Sequence, residues 1–110
     1  MDMTIDEHDG ITRISLVGKL DIVGAEIIDV KFSAAASHAS KAAVDLSGVD
    51  YIASMGIRVL VMAGKSVARR GGKIVLFGVS DAVTKVLSAA GLTEIIPVVT
   101  DWNSAKVALA

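Results

Sequence analysis

Residues 41–79 read KAAVDLSGVDYIASMGIRVLVMAGKSVARRGGKIVLFGV, and the order of patterns within them decides the fold class. KAAVDLSGV is a short apolar strand. Ile57, Leu60, Val61, Gly64 and Ala68 then recur at helical spacing as the buried stripe of a helix ending at Arg69-Arg70-Gly71-Gly72. Two glycines suit a left-handed helix cap, and two arginines suit the negative end of the helix dipole. KIVLFGV follows as a nearly unbroken apolar run, the pattern of a strand covered on both faces. A strand, a helix and a strand with such short connections form a right-handed crossover between parallel neighbours, so the chain is an α/β protein.

Working outward, the segment Met3 to Val17 divides at Asp9-Gly10, a dipeptide suited to the positive φ values of a tight hairpin turn. Two antiparallel strands therefore open the chain. In VGAEIIDVKFSAAASHA, Ala25, Ile28, Phe32 and Ala35 mark an amphipathic helix. Towards the C-terminus, Ser80 or Asp81 caps a helix with the stripe Val83, Val86, Leu87 and Ala90, which Gly91 stops. EIIPVV reads as a last short strand, placed at an edge by Pro97. Thr100 or Asp101 caps a final helix carrying Trp102, Ala105 and Leu109. The order is ββαβαβαβα, a small, mostly parallel mixed sheet with four helices packed on it, and residues 1–110 make one domain.

Composition narrows the function. A hydrophobic share of 53% with only 4% aromatics requires a core of Val, Ile, Leu and Ala. A net charge of -1 supplies no global field to attract nucleic acid or an anionic membrane, so neither is expected as a partner and recognition must be local. The absence of cysteine removes disulfides, thiolate metal sites and a Cys nucleophile. MDMTIDEHDG has no apolar stretch suited to a signal peptide, and no window approaches the roughly 18 apolar residues of a membrane span. A cytoplasmic protein, monomeric when free, is expected.

Most motifs dissolve on inspection. Gly64-Lys65-Ser66 imitates the end of a phosphate-binding P-loop, but position 59 is Val and the triplet falls inside a helix. His8 and His38 lack carboxylates at recurring spacing, so no metal or cofactor site is expected. Arg69, Arg70 and Lys73 read as a solvated helix end, and Trp102 as a packing anchor. Ser54 stands apart. It sits where the strand gives way to the helix, and it is either the N-cap or a hydroxyl offered to another molecule.

The run VDLSGVDYIASMGIRVLV, preceded by VGKLD and followed by GGKIVLFGVSDAVTKVLSAAGLTEIIPV, resembles the STAS domain family, and within it the bacterial anti-sigma factor antagonists, from about Ile11 to Leu109. The resemblance implies a regulator, not an enzyme, that binds a serine-kinase anti-sigma factor and is released when the kinase phosphorylates a serine opening the second helix. That serine corresponds to Ser54, the motif glycine to Gly56, and the Gly-x-Leu-Asp loop to Gly18–Asp21. The implied partner surface is Asp21, Ala53, Ser54, Met55, Gly56 and Arg58. The family motif carries Asp before the serine and Ser or Thr after it, where this chain has Ala53 and Met55. The alternative implied by that departure is a STAS subunit docking on a transporter ATPase without phosphorylation. A third reading, Ser54 as a catalytic nucleophile, would need a base beside it.

Overall fold

A computed structural model describes residues 1–110. Strand β1 (Asp2–His8) pairs antiparallel with β2 (Ile11–Leu20) across the Asp9-Gly10 turn, where φ is 54° and 78°. Helix α1 (Ile22–His38), strand β3 (Lys41–Ile52), helix α2 (Ser54–Arg69), strand β4 (Lys73–Phe77) and helix α3 (Asp81–Ala89) follow. A 3-10 turn at Leu92–Glu94, strand β5 (Val98–Val99) and helix α4 (Trp102–Leu109) complete the chain. The sheet runs β1-β2-β3-β4-β5, antiparallel only at its first pair. The expected architecture and element order are both present.

Because the parallel crossovers advance in one direction with one hand, α1, α2 and α3 lie on the same face of the sheet. Their buried residues Ile28, Phe32, Leu60 and Leu87 join Ile14, Leu16, Val44, Leu46 and Leu76 of the strands in the main core. Helix α4 covers part of the other face, where Ala105 and Leu109 meet Ile11, Ala43, Val75 and Phe77. Trp102 packs on Phe77, with ring centroids 5.7 Å apart, and beneath the Arg13 guanidinium at 5.0 Å, so it does anchor the last helix. No helix is long and apolar enough to cross a membrane.

Several sequence expectations need correction. Strand β3 continues to Ile52 instead of stopping at Val49. Two register irregularities against β2 break its alternation, so Leu46, Val49 and Ile52 face the core at spacings of three. The buried stripe of α2 is Gly56, Val59, Leu60, Ala63, Gly64 and Val67. Ile57 and Val61 sit half-buried at its margin, and Ala68 is exposed. Ala36 replaces Ala35 as the last fully buried residue of α1, while Val86 and Ala90 of α3 are exposed. Of EIIPVV only Val98–Val99 forms a strand, at the sheet edge as Pro97 implied. The caps resolve to Ser80 and Asp101. Arg70 is not merely solvated: its Nη2 donates to the carbonyls of Ala36 at 2.7 Å and Ala39 at 2.9 Å, tying the end of α2 to the end of α1.

Candidate partner-docking site

The parallel strands β2 and β3 finish side by side, with Leu20 in register with Ile52. The Ala53 N–H donates to the Leu20 carbonyl at 3.0 Å, carrying the pairing one residue beyond the strand. The loop entering α1 and the loop entering α2 are thereby held together at the carboxyl end of the sheet, where open α/β sheets place their sites. Gly56 makes this approach possible. A Cβ there would lie 2.5 Å from the Leu20 carbonyl oxygen and 2.6 Å from Leu20 Cγ, so any side chain would lift α2 off the neighbouring loop. Gly24 does the same for α1, since its Cβ would meet the Lys19 carbonyl.

Ser54 is the first residue of α2 and is exposed. It is not the N-cap. That position belongs to Ala53, whose backbone is extended (φ -119°, ψ 176°) and whose methyl group cannot accept a hydrogen bond. The first intrahelical bond runs from the Ile57 N–H to the Ala53 carbonyl at 3.0 Å. The N–H groups of Ser54, Met55 and Gly56 therefore open the helix with no intrahelical acceptor and no side-chain cap. The cap reading of Ser54 placed the helix start one residue late, because serine is the better capping residue of the pair.

Asp21 does cap a helix. Its Oδ1 accepts from the Gly24 N–H at 2.8 Å, so one carboxylate oxygen is engaged at the start of α1. Met55 is half-buried and packs on the margin of the main core. Arg58 lies one helical turn beyond Ser54, on the same side of α2 and exposed, and none of the ion pairs of the chain involves it. It lines a cleft of about 380 Å³ with Met55, Val59 and Met62 of α2 and Asp29 and Ser33 of α1. A second hollow shares Ser33 and Met62 and extends between the two helices to Arg69. The result is one groove along α1 and α2 with Ser54 near its head.

The sequence reading missed Met62, Asp29 and Ser33 of this region. Met62 had a signal, being seven residues beyond Met55 on one helical face. Asp29 and Ser33, joined by a 3.2 Å hydrogen bond, reach the groove only through helix packing. Lys19, in the Gly18–Asp21 stretch, is brought by strand register to 3.8 Å from the Asp50 carboxylate and 5.8 Å from the Tyr51 ring centre. The histidines lie elsewhere. His8 is at the hairpin end of the sheet beside Asp6 and Arg13, and His38 Nδ1 is 2.8 Å from the Ala34 carbonyl at the far end of α1. Neither approaches Ser54 to serve as its base.

The family model "Mlab, STAS domain" matches residues 3–100, nearly the whole of this architecture. The chain belongs to the STAS domain family. BtrV of Bordetella bronchiseptica, named there as a candidate anti-sigma factor antagonist, is 29% identical over 109 residues, covering 98% of this chain and 94% of its own. The anti-sigma-factor antagonist (STAS) domain protein of Planctomyces limnophilus superposes with a TM-score of 0.89 at 27% identity, over 98% and 97% of the two chains. The phosphorylated form of the Bacillus cell fate determinant SpoIIAA superposes with a TM-score of 0.73 at 18% identity, over 97% and 99%, a likeness of fold. The relatives of this STAS domain are thus regulatory binding proteins.

Proposed function

We propose that this STAS domain is an anti-sigma factor antagonist that binds a serine-kinase anti-sigma factor through the α1–α2 groove and is released when Ser54 is phosphorylated. The observation that carries the reading is the state of Ser54: an exposed hydroxyl, not spent on capping, at an uncapped helix start with an unpaired arginine one turn away. The kinase would transfer the γ-phosphoryl group of ATP to Ser54 Oγ, with loss of the hydroxyl proton. The product carries about -1.5 to -2 charges. At a helix N-terminus that charge is favourable, and Arg58 is within helical reach of it. The fold therefore tolerates the modification.

An interface that had closed over a neutral hydroxyl would not. It would have to desolvate the phosphate beside Met55 and the partner, and a loss of about 3 kcal/mol already weakens binding more than a hundredfold. Asp21 would act through the loop it holds, since its carboxylate caps α1. Ala53, Met55, Gly56 and Arg58 would surround the hydroxyl. The test is transfer of labelled phosphate from ATP by a serine-kinase anti-sigma factor, together with its affinity for wild type, Ser54→Ala and Ser54→Asp. Wild type should be labelled and Ser54→Ala not, and Ser54→Asp should bind at least about tenfold more weakly. Labelling of Ser54→Ala, or equal affinity for Ser54→Asp, would refute the reading.

A second reading is favoured by the apolar pair Ala53 and Met55 flanking Ser54, and by the Mlab description of the matching family model. In it the same groove docks on a transporter ATPase, and Ser54→Asp leaves that binding unchanged.

A further inference from the structure

Helix α1 is as apolar outside as inside. Its inner face buries Ala25, Ile28, Phe32 and Ala36 against the core. On the opposite face Val23, Ile27 and Val30 are 59%, 60% and 82% exposed, and Ala34 follows in the same row. A helix packed on a sheet ordinarily turns a polar face to water. Single exposed apolar residues are normal, but four in one row form a patch. Their spacings of four, three and four residues are those of the d-a-d-a seam of a coiled coil. Ile5 of β1, 46% exposed, widens the patch on one flank, where it shares a groove with Lys31 and Ala34.

We propose that this seam is the contact between two copies of the chain, related by a two-fold axis parallel to α1. The flanking charges select both the partner and the direction. Glu26 occupies the g position before Ile27, and Lys31 the e position after Val30, five residues apart. In a parallel pair, g of one helix meets e of the other five residues on, so Glu26 faces Lys31 of the second copy and the symmetry repeats the contact. An antiparallel pair sets g against g and e against e, which brings Glu26 to Ser33 or itself and Lys31 to Gly24 or itself. No opposite charges meet in that arrangement. Neither Glu26 nor Lys31 has an ion pair within its own chain.

The groove of the docking site uses the Asp29 and Ser33 flank of α1, so the seam leaves Ser54, Met55 and Arg58 of α2 outside it. With the helices parallel, both Ser54 residues stand at the same end of the dimer. Four seam residues per chain make a small contact, at the low end of specific interfaces, so the association is expected to be weak and to need high protein concentration. The proposal departs from the free monomer expected from the sequence, and it does not depend on the phosphorylation reading.

Sedimentation equilibrium of the chain from about 10 µM to about 500 µM tests it. The mass should rise from one chain to two. Val30→Glu, at the most exposed position, should remain a single chain across the range with an unchanged circular dichroism spectrum. Glu26→Lys alone should weaken association, and adding Lys31→Glu should restore it. The chain contains no cysteine, so Val30→Cys should cross-link to its own copy with a short bismaleimide. A monomer throughout the range, or a Val30→Glu variant that dimerises like wild type, overturns the proposal. If wild type itself stays monomeric across the range and Val30→Glu loses an anti-sigma factor that wild type binds, the proposal is overturned and the face belongs to that partner instead. Failure of the double exchange to restore what Glu26→Lys weakens overturns the parallel arrangement.

Discussion

Replacing Ala53 with aspartate should make the protein more stable, although it adds a charge in a half-buried loop. Three of the four α-helices are closed by a side chain: Asp21 accepts from Gly24 N–H, Ser80 from Val83 N–H and Asp101 from Ser104 N–H, at 2.8, 3.2 and 2.8 Å. Each cap accepts from the residue three positions on and has an extended backbone. Ala53 has that backbone too and lacks only the acceptor. An aspartate there would reach the Gly56 N–H, and alanine-to-cap differences are typically about 1 kcal/mol, with a few tenths more from the helix dipole. For a domain of this size that is roughly 4–8 °C in Tm.

The sign with pH follows from the bond. Accepting it lowers the carboxyl pKa in the folded state below its unfolded value of about 3.9, so the gain is complete well above that value and disappears as pH falls through the folded pKa. Urea denaturation at pH 7 and pH 3, followed by circular dichroism, measures both. Ser54→Ala is the control, expected within about 0.5 kcal/mol of wild type because its hydroxyl closes no helix. If Ala53→Asp gains nothing at pH 7 while Ser54→Ala loses about 1 kcal/mol, Ser54 is the N-cap, the helix starts at Met55 and the assignment of the cap to Ala53 is wrong.

Gly56→Ala should lose about 2 kcal/mol in the same assay, since overpacking against the Leu20 carbonyl outweighs the better helix propensity of alanine; a stabilised variant would show that the loops are not in contact. Arg70→Ala should cost about 1.5 kcal/mol through two lost charged hydrogen bonds to the end of α1, and Arg70→Lys should not recover all of it. The Arg13 guanidinium holds the Asp6 carboxyl below its ordinary value of 3.8, and the Ser104 N–H does the same for Asp101. Both contributions are present above that value and lost as pH falls through the lowered folded pKa values. Asp101→Asn should therefore flatten the acid limb of a stability-against-pH curve, and an unchanged limb would count against the α4 cap.

Much of the architecture could be read from residues alone because each element satisfies a local rule. The apolar run Ile74–Phe77 needs cover on both faces, Asp9-Gly10 suits a tight turn, and Gly71-Gly72 end a helix. The errors cluster where tertiary contacts override periodicity. The irregular register of β3 carried Val49 and Ile52 to the core face at spacings that no strand rule predicts. The stripe of α2 rotated by one residue because Gly56 and Gly64 let the helix lie close on Leu20 and Ile96. Glycine carries no hydrophobic signal, so the periodicity caught Gly64 among apolar neighbours and passed over Gly56.

The sequence by itself determined that this is a single STAS domain and that Ser54 stands at the junction of a strand and a helix. It left the hydroxyl's role open, because serine preference for caps and serine use as an acceptor of phosphate have the same local pattern. Only the tertiary structure decided that Ala53 holds the cap and that Ser54 is free at the surface. It alone placed Asp29 and Ser33 across a groove from Arg58, and left the outer row of α1 uncovered. Backbone propensities act between near neighbours in the chain, whereas a groove or an exposed row exists only after distant segments have packed.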